Sequence, residues 1–241
     1  MKSRKWVVLM RAAGRFTLTR AASSHSEATL RALVVVVVVV ALSGCAGLSK
    51  RVDRSALSAV PNEELLLLFD AENAVYIARD EADLAGRTLQ DAKLALERAR
   101  KYGATITERR SGGATIDSVQ VLDLLGEWND VRIAMREAEL QLREVELDTS
   151  DVRLWAARAR YEKEKARLVK DKNPAQGKDL KLEEFDQQVT EWSAKEAEAQ
   201  KALDEKDAVV VENRGRYFAL SRRLQEASKG AYGGPWADLL D

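Results

Sequence analysis

Histidine and cysteine are all but missing: in 241 residues each occurs once, as His25 and Cys45, and neither type recurs after residue 45. A hydrolytic triad needs an imidazole base and a structural zinc site needs thiolates or imidazoles, so both chemistries are excluded from the chain beyond that point. Disulfide stapling is excluded with them. Prolines number three, and aromatic residues make up only 6% of the chain. Long stretches therefore contain nothing that interrupts a helix, and little is present that would furnish a β-sandwich or an α/β core. No phosphate-cradling glycine loop or dinucleotide fingerprint occurs, because Gly230-Ala231-Tyr232-Gly233-Gly234 follows a helical pattern instead of opening one. What is there is rich in Ala, Leu, Glu, Lys and Arg, 46% hydrophobic and 32% charged, the composition of an all-α protein and not of a disordered chain. No enzyme activity, cofactor or metal site is expected.

The one long hydrophobic run lies near the start. Residues 33–42, mostly valine, are flanked by Arg31 on one side and small residues on the other. The run is too short to cross a bilayer core as a helix, and its β-branched side chains are poorly suited to a buried core helix. It ends in Leu42-Ser43-Gly44-Cys45, and these residues resemble the lipobox of the bacterial lipoproteins. The resemblance implies that Leu42, Ser43 and Gly44 are recognised by signal peptidase II. It further implies that residues 1–44 are a signal peptide and that Cys45, acylated with palmitate-type chains, becomes the N-terminus. Ala46 stands where an aspartate would retain an enteric lipoprotein in the inner membrane, so the implied location is the periplasmic face of the outer membrane, with the inner membrane as the alternative. Several acyl chains, at about 0.8 kcal/mol per buried methylene, hold a protein stably where one chain is marginal. Residues 1–32 are longer than an ordinary basic leader and include an apolar patch at 6–10; initiation at Leu30 would give a compact signal. Of the 39 basic and 39 acidic residues, seven and one lie in residues 1–44, so the processed chain carries 32 and 38 and a formal net charge of −6.

Beyond the cysteine, residues 45–61 are small, polar and basic and are expected to form a lipidated tether of at most about 50 Å reach. Residues 62–230 then predict three long helices. The first, 62–102, opens at Asn62 with Glu63 and Glu64 in its first turn and is expected to stop at Gly103. Its seam of Leu68, Ala71, Val75, Ala78, Ala82, Ala85, Leu89, Ala92, Leu96 and Ala99 alternates three and four residues throughout, the spacing of a coiled coil. The second, 118–172, is capped by Asp117 or Ser118 and halted by Asn173-Pro174. One apolar seam runs from Val121 to Ala166, and a second stripe, Ile133, Leu140, Leu147, Leu154, Tyr161 and Leu168, repeats every seven residues on another face. The third, 179–229, is expected to be capped by Asp179 and ended by Gly230. Short connections make neighbouring helices antiparallel. The expected fold is an elongated antiparallel three-helix coiled-coil bundle, with the hairpin of helices two and three protruding past helix one. The opposed stripes of helix two also allow a flatter array or a self-association face. Register about the second turn places Lys206 near Glu144 and Asn213 near Glu137. Residues 231–241 form a flexible tail.

Candidate contact residues follow from these elements. Carboxylates such as Glu137, Glu139, Glu144 and Glu146 have the spacing of a solvated helix face. The tip between helices two and three is basic, and Lys170, Lys172 and Lys178 are its candidate contacts with a partner, either cell-wall glycan or a membrane headgroup. Trp236, on the glycine-proline hinge of the tail, can dock in a partner groove or fold back on its own bundle. Nucleic acid is not expected, because export removes the chain from it. The expected function is a non-catalytic envelope scaffold: a periplasmic spacer or interaction arm, attached to the membrane through its lipid and binding an envelope protein or peptidoglycan. The alternative is a client-holding chaperone with helical tentacles, which requires an exposed apolar face.

Overall fold

The computed structural model describes residues 47–112 and 118–233. The described residues belong to one compact unit. Among the described residues all regular structure is helical: α1 Arg54–Leu57, α2 Asn62–Leu65, a 3-10 turn Leu66–Leu68, then α3 Phe69–Ser111, α4 Val119–Lys172, α5 Pro174–Gly177 and α6 Leu182–Ala227. The three long helices α3, α4 and α6 carry the body. At 1.5 Å per residue α4 is about 80 Å long.

The ends of the helices follow local chemistry. Ser118 sits in extended conformation and its Oγ accepts from the Val121 N–H at 3.3 Å, which starts α4. Asn173, before Pro174, leaves the helical region and stops it. α6 ends where Lys229 and Gly230 take positive φ and the Gly230 N–H returns to the Gln225 carbonyl at 2.8 Å. Asp179 does not cap α6, which opens three residues later at Leu182 behind Lys181. Gly103 does not end the first helix either, and α3 runs on to Ser111. A Cβ at Gly103 would stand 2.8 Å from Asn129 Nδ2. The glycine therefore serves close approach of α3 to α4 rather than a turn.

Both neighbours of α4 run antiparallel to it. Arg100 of α3 pairs with Glu137 at 2.8 Å, and Glu64, before α3, meets Lys172 at 3.0 Å. On the other side Trp128 Nε1 donates to Ser221 Oγ at 2.8 Å, and Arg160 pairs with Glu196 at 2.6 Å. The Glu64 contact corrects the expected protrusion, because the first helical region begins level with the end of α4. α3 and α6 each pack extensively on α4 but not on each other. The two stripes of α4 thus take one neighbour each.

The apolar seams lie where the long helices pack together. Every described residue of the first two seams is buried or half-buried. On the α6 side, small Ala138, Ala156, Ala159 and Ala166 are buried along α4 and let the backbones approach. At one end Trp128, 2% exposed, is sandwiched between Tyr102 of α3 and Tyr217 of α6 at centroid distances of 6.2 and 5.6 Å. Ile106, Leu125, Met135, Leu220 and Leu224 complete that core. Burying such a side chain is worth about 3 kcal/mol. The expected polar register shifts by about one turn: Lys206 Nζ donates to Gln141 Oε1 at 3.0 Å, not to Glu144, and Asn213 bonds to the Val209 carbonyl within its own helix.

Residues 47–60 are not a free tether. Val52, Ala56 and Val60 are buried. Val52 and Ala56 pack with Ala166, Val169 and Phe185, and Val60 packs with Leu68 and Leu168. The four-residue spacing of Leu48, Val52, Ala56 and Val60 turns one apolar edge of this polar segment onto the helices.

Candidate functional site

Leu42, Ser43, Gly44, Cys45 and Trp236 lie outside the described residues. The segment just after Cys45 does not, and it is clasped at both ends. Gln188 of α6, 3% exposed, accepts from the Lys50 N–H at 2.9 Å and the Ser49 hydroxyl at 3.1 Å, and donates to the Lys50 carbonyl at 3.2 Å. Farther along, the Val52 N–H donates to Glu162 at 2.8 Å, and buried Asn173 donates to the Ala56 carbonyl at 3.1 Å. Glu162 also holds buried Lys165 at 2.5 Å. The Lys50 ammonium lies 2.6 Å from Glu184 and holds that carboxyl below its ordinary range, chiefly through the hydrogen bond between them.

Where the segment enters, Gly47 and Leu48 lie against a stacked pair of indoles. Trp155 of α4 and Trp192 of α6 have centroids 5.9 Å apart, and Leu48 packs with them. Arg158 stands over Trp155 at 4.7 Å and Lys195 over Trp192 at 4.2 Å. The Arg51 guanidinium comes within 3.5 Å of the position a Cβ on Gly47 would take.

A second feature is the outward side of α3. Leu66, Leu67 and Phe69 are 72%, 68% and 64% exposed, and Tyr76, Ile77, Leu84 and Leu94 continue the exposure along the helix. Residues 66, 69, 76, 77, 84 and 94 fall within about a third of the helix circumference. This apolar stripe faces away from α4 and is interspersed with exposed Asn73, Asp80, Arg87, Asp91 and Arg98. Patches of this kind on a folded chain mark interaction surfaces.

The basic tip is largely neutralised. Lys163 pairs with Asp186 at 2.7 Å, Lys181 with Glu184 at 3.5 Å, and Lys172 with Glu64 and with Asp171 at 3.3 Å. The hydrogen bond to Glu64, followed by that to Asp171, raises the Lys172 pKa. Lys170 and Lys178 are exposed. Lys170 lines a cleft of about 600 Å³ with Arg167 and the leucines Leu67, Leu68, Leu168 and Leu182. The three lysines are thus on one end of the body but do not act as one cationic patch.

Sequence reading missed a third face of α4. Arg132, Arg136, Glu139, Arg143, Glu146, Ser150, Arg153 and Ala157 repeat at alternating three and four residues, and all are buried or half-buried. Arg136 pairs with Glu139 at 2.7 Å and Arg143 with Glu146 at 2.5 Å, while Glu139 also receives Arg214 from α6 at 3.3 Å and Arg153 donates to Gln200 at 2.6 Å. The heptad spacing was the available signal. Glu137, expected on a solvated face, pairs with Arg100, and Glu139 and Glu146 belong to this ladder.

Among the described residues no group of three His, Cys, Asp or Glu side chains is placed to hold a metal ion, and no helix is long and apolar enough to cross a membrane. No protein-family model, curated protein or solved structure matches the chain.

Proposed function

We propose that this chain is a non-catalytic cell-envelope lipoprotein, anchored through acylated Cys45 to the periplasmic face of the outer membrane, whose antiparallel three-helix coiled-coil body is an interaction arm for another envelope protein. The observation that carries the reading is the outward apolar stripe of α3. It sets exposed leucines, an isoleucine and aromatics among Asp80, Arg87, Asp91 and Arg98 on a long helix, the mixture of apolar anchors and charges with which a helix face takes a protein partner.

Site-specific photo-crosslinking from Ile77 and Leu84 in cells tests the reading. One dominant envelope protein captured from both positions, and lost on Ile77→Asp/Leu84→Asp substitution, supports the arm. Capture of many outer-membrane proteins during their transit supports the second reading, a client-holding chaperone, which the same exposed side chains serve. No capture from either position removes both.

A further inference from the structure

The point at which the chain reaches its body lies on the flank of the rod, not at an end. Gly47 and Leu48 sit beside Trp155 and Trp192. From Trp155, α4 continues about 25 Å to its end at Lys172, and about 54 Å the other way to Val119. Body extends past the entry point in both directions.

Beyond Gly47 there is almost no slack. The clasp of Gln188 on Ser49 and Lys50 fixes the chain there, and the two residues back to Cys45 span at most about 7 Å. An upright rod would drive either the charged tip at 170–181 or the opposite end tens of ångströms through the bilayer. With about 7 Å of reach and about 25 Å of rod on the shorter side, the axis can incline from the membrane plane by only about 15–20°.

The flank at this point is built for a headgroup surface. Arg51, Arg158 and Lys195 surround the stacked indoles, and none of the three has an ion pair among the described residues. Trp192 is buried and Trp155 half-buried, so the indoles form a floor beneath these cations, and cations near an anionic leaflet are attracted to lipid phosphates.

We infer that the rod lies along the membrane, with Arg51, Arg158 and Lys195, the cations around the Trp155–Trp192 pair, against the phosphates of lipid headgroups. This rests on the proposed lipidation of Cys45. The arm then extends sideways over the leaflet instead of standing off from it.

The processed, lipidated protein, purified from membranes, is reconstituted into phosphatidylcholine vesicles containing a minority of phosphatidylglycerol. Flotation comes first, beside a Cys45→Ala control. Because the acylated cysteine is the only cysteine, a donor fluorophore can be placed singly at Lys178→Cys, near the tip, or at Asp123→Cys, near the opposite end, with an acceptor on the lipid headgroups. Strong energy transfer from both positions is the expected result. An Arg51→Gln/Arg158→Gln/Lys195→Gln variant should lose part of the transfer from position 123, and none from position 178, because the longer end can then lift through the roughly 15–20° that the tether allows. Flotation with transfer from one end only overturns the flat orientation and leaves the lipoprotein reading standing. Transfer from both ends that the triple variant does not change overturns the role of the cations. Failure of the parent to float removes the anchor, and the orientation with it.

Discussion

Replacing Gln188 with alanine should release the segment that joins the body to its anchor, without unfolding the body. The amide is almost fully buried and makes two hydrogen bonds to the Lys50 backbone, at 2.9 and 3.2 Å, as well as one to the Ser49 hydroxyl. Each backbone bond is worth about 1 kcal/mol net, so their loss should cost the docked state about 2 kcal/mol. That corresponds to an increase of about thirty-fold in the opened population. Trypsin reads this population directly, because Lys50 and Arg51 are cleaved only when the segment is out of its groove, and when reclosing is fast the cleavage rate tracks the opening equilibrium. Site-resolved mass spectrometry of a digestion time course should show cleavage after Lys50 and Arg51 accelerating about thirty-fold, with cleavage after buried Lys165 unchanged. Gln188→Glu keeps an acceptor and loses the donor, so about 1 kcal/mol and roughly five-fold acceleration are expected. Cleavage within two-fold of the parent in the alanine variant would refute the clasp. Acceleration at Lys165 to the same degree would show that the residue supports the whole fold instead.

Three further outcomes follow from the geometry. Gly103→Ala should lower stability by about 1 kcal/mol in urea titrations, because the new methyl meets Asn129 Nδ2, whereas Gly86→Ala, with nothing within 4 Å, should raise it by about the same amount. Trp128→Phe removes the donor to Ser221 and part of the ring packed between Tyr102 and Tyr217, and a loss of about 2 kcal/mol is expected by the same titration. Glu184 has its carboxyl pKa lowered in the folded state by Lys50. Its contribution to docking is therefore present above the ordinary value of 4.5 and lost as pH falls through the lowered pKa. Glu184→Gln should speed amide exchange at Val52 at neutral pH, and the difference from the parent should vanish in acid.

The long helices were legible because their information is local and repeated. Heptad spacing marked the residues that pack from Leu68 to Ala99 and from Val121 to Ala166, and Ser118, Asn173-Pro174 and Gly230 marked ends through their own backbone preferences. Gly103 was illegible as a packing residue, since the same lack of a side chain that ends one helix admits a neighbour to another, and only the position of Asn129 decides between them. The docked segment escaped notice because its buried residues Val52, Ala56 and Val60 are small and separated by polar and basic ones, which read as a solvated tether. Its partners Gln188, Glu162 and Asn173 stand more than a hundred residues away. The arginine and glutamate ladder of α4 was hidden by its charge, since heptad reading looks for apolar members and these side chains reach buried positions through their pairing. Of the expected contact residues, Lys172 proved committed to Glu64 and Asp171.

Only α4 touches both of its long neighbours, so in cross-section the body is an open profile and not a closed tube. Such sections resist bending along their length far better than they resist torsion, because no ring of contacts carries shear around the axis. The aromatic cluster of Tyr102, Trp128 and Tyr217 ties all three helices together at one end. Away from that cross-tie, the outer helices can rotate about α4 while its seams stay packed. A load applied to the apolar stripe of α3 is therefore taken up first as twist, and it reaches the clasped segment through α4 and through the contact of Leu68 with Val60.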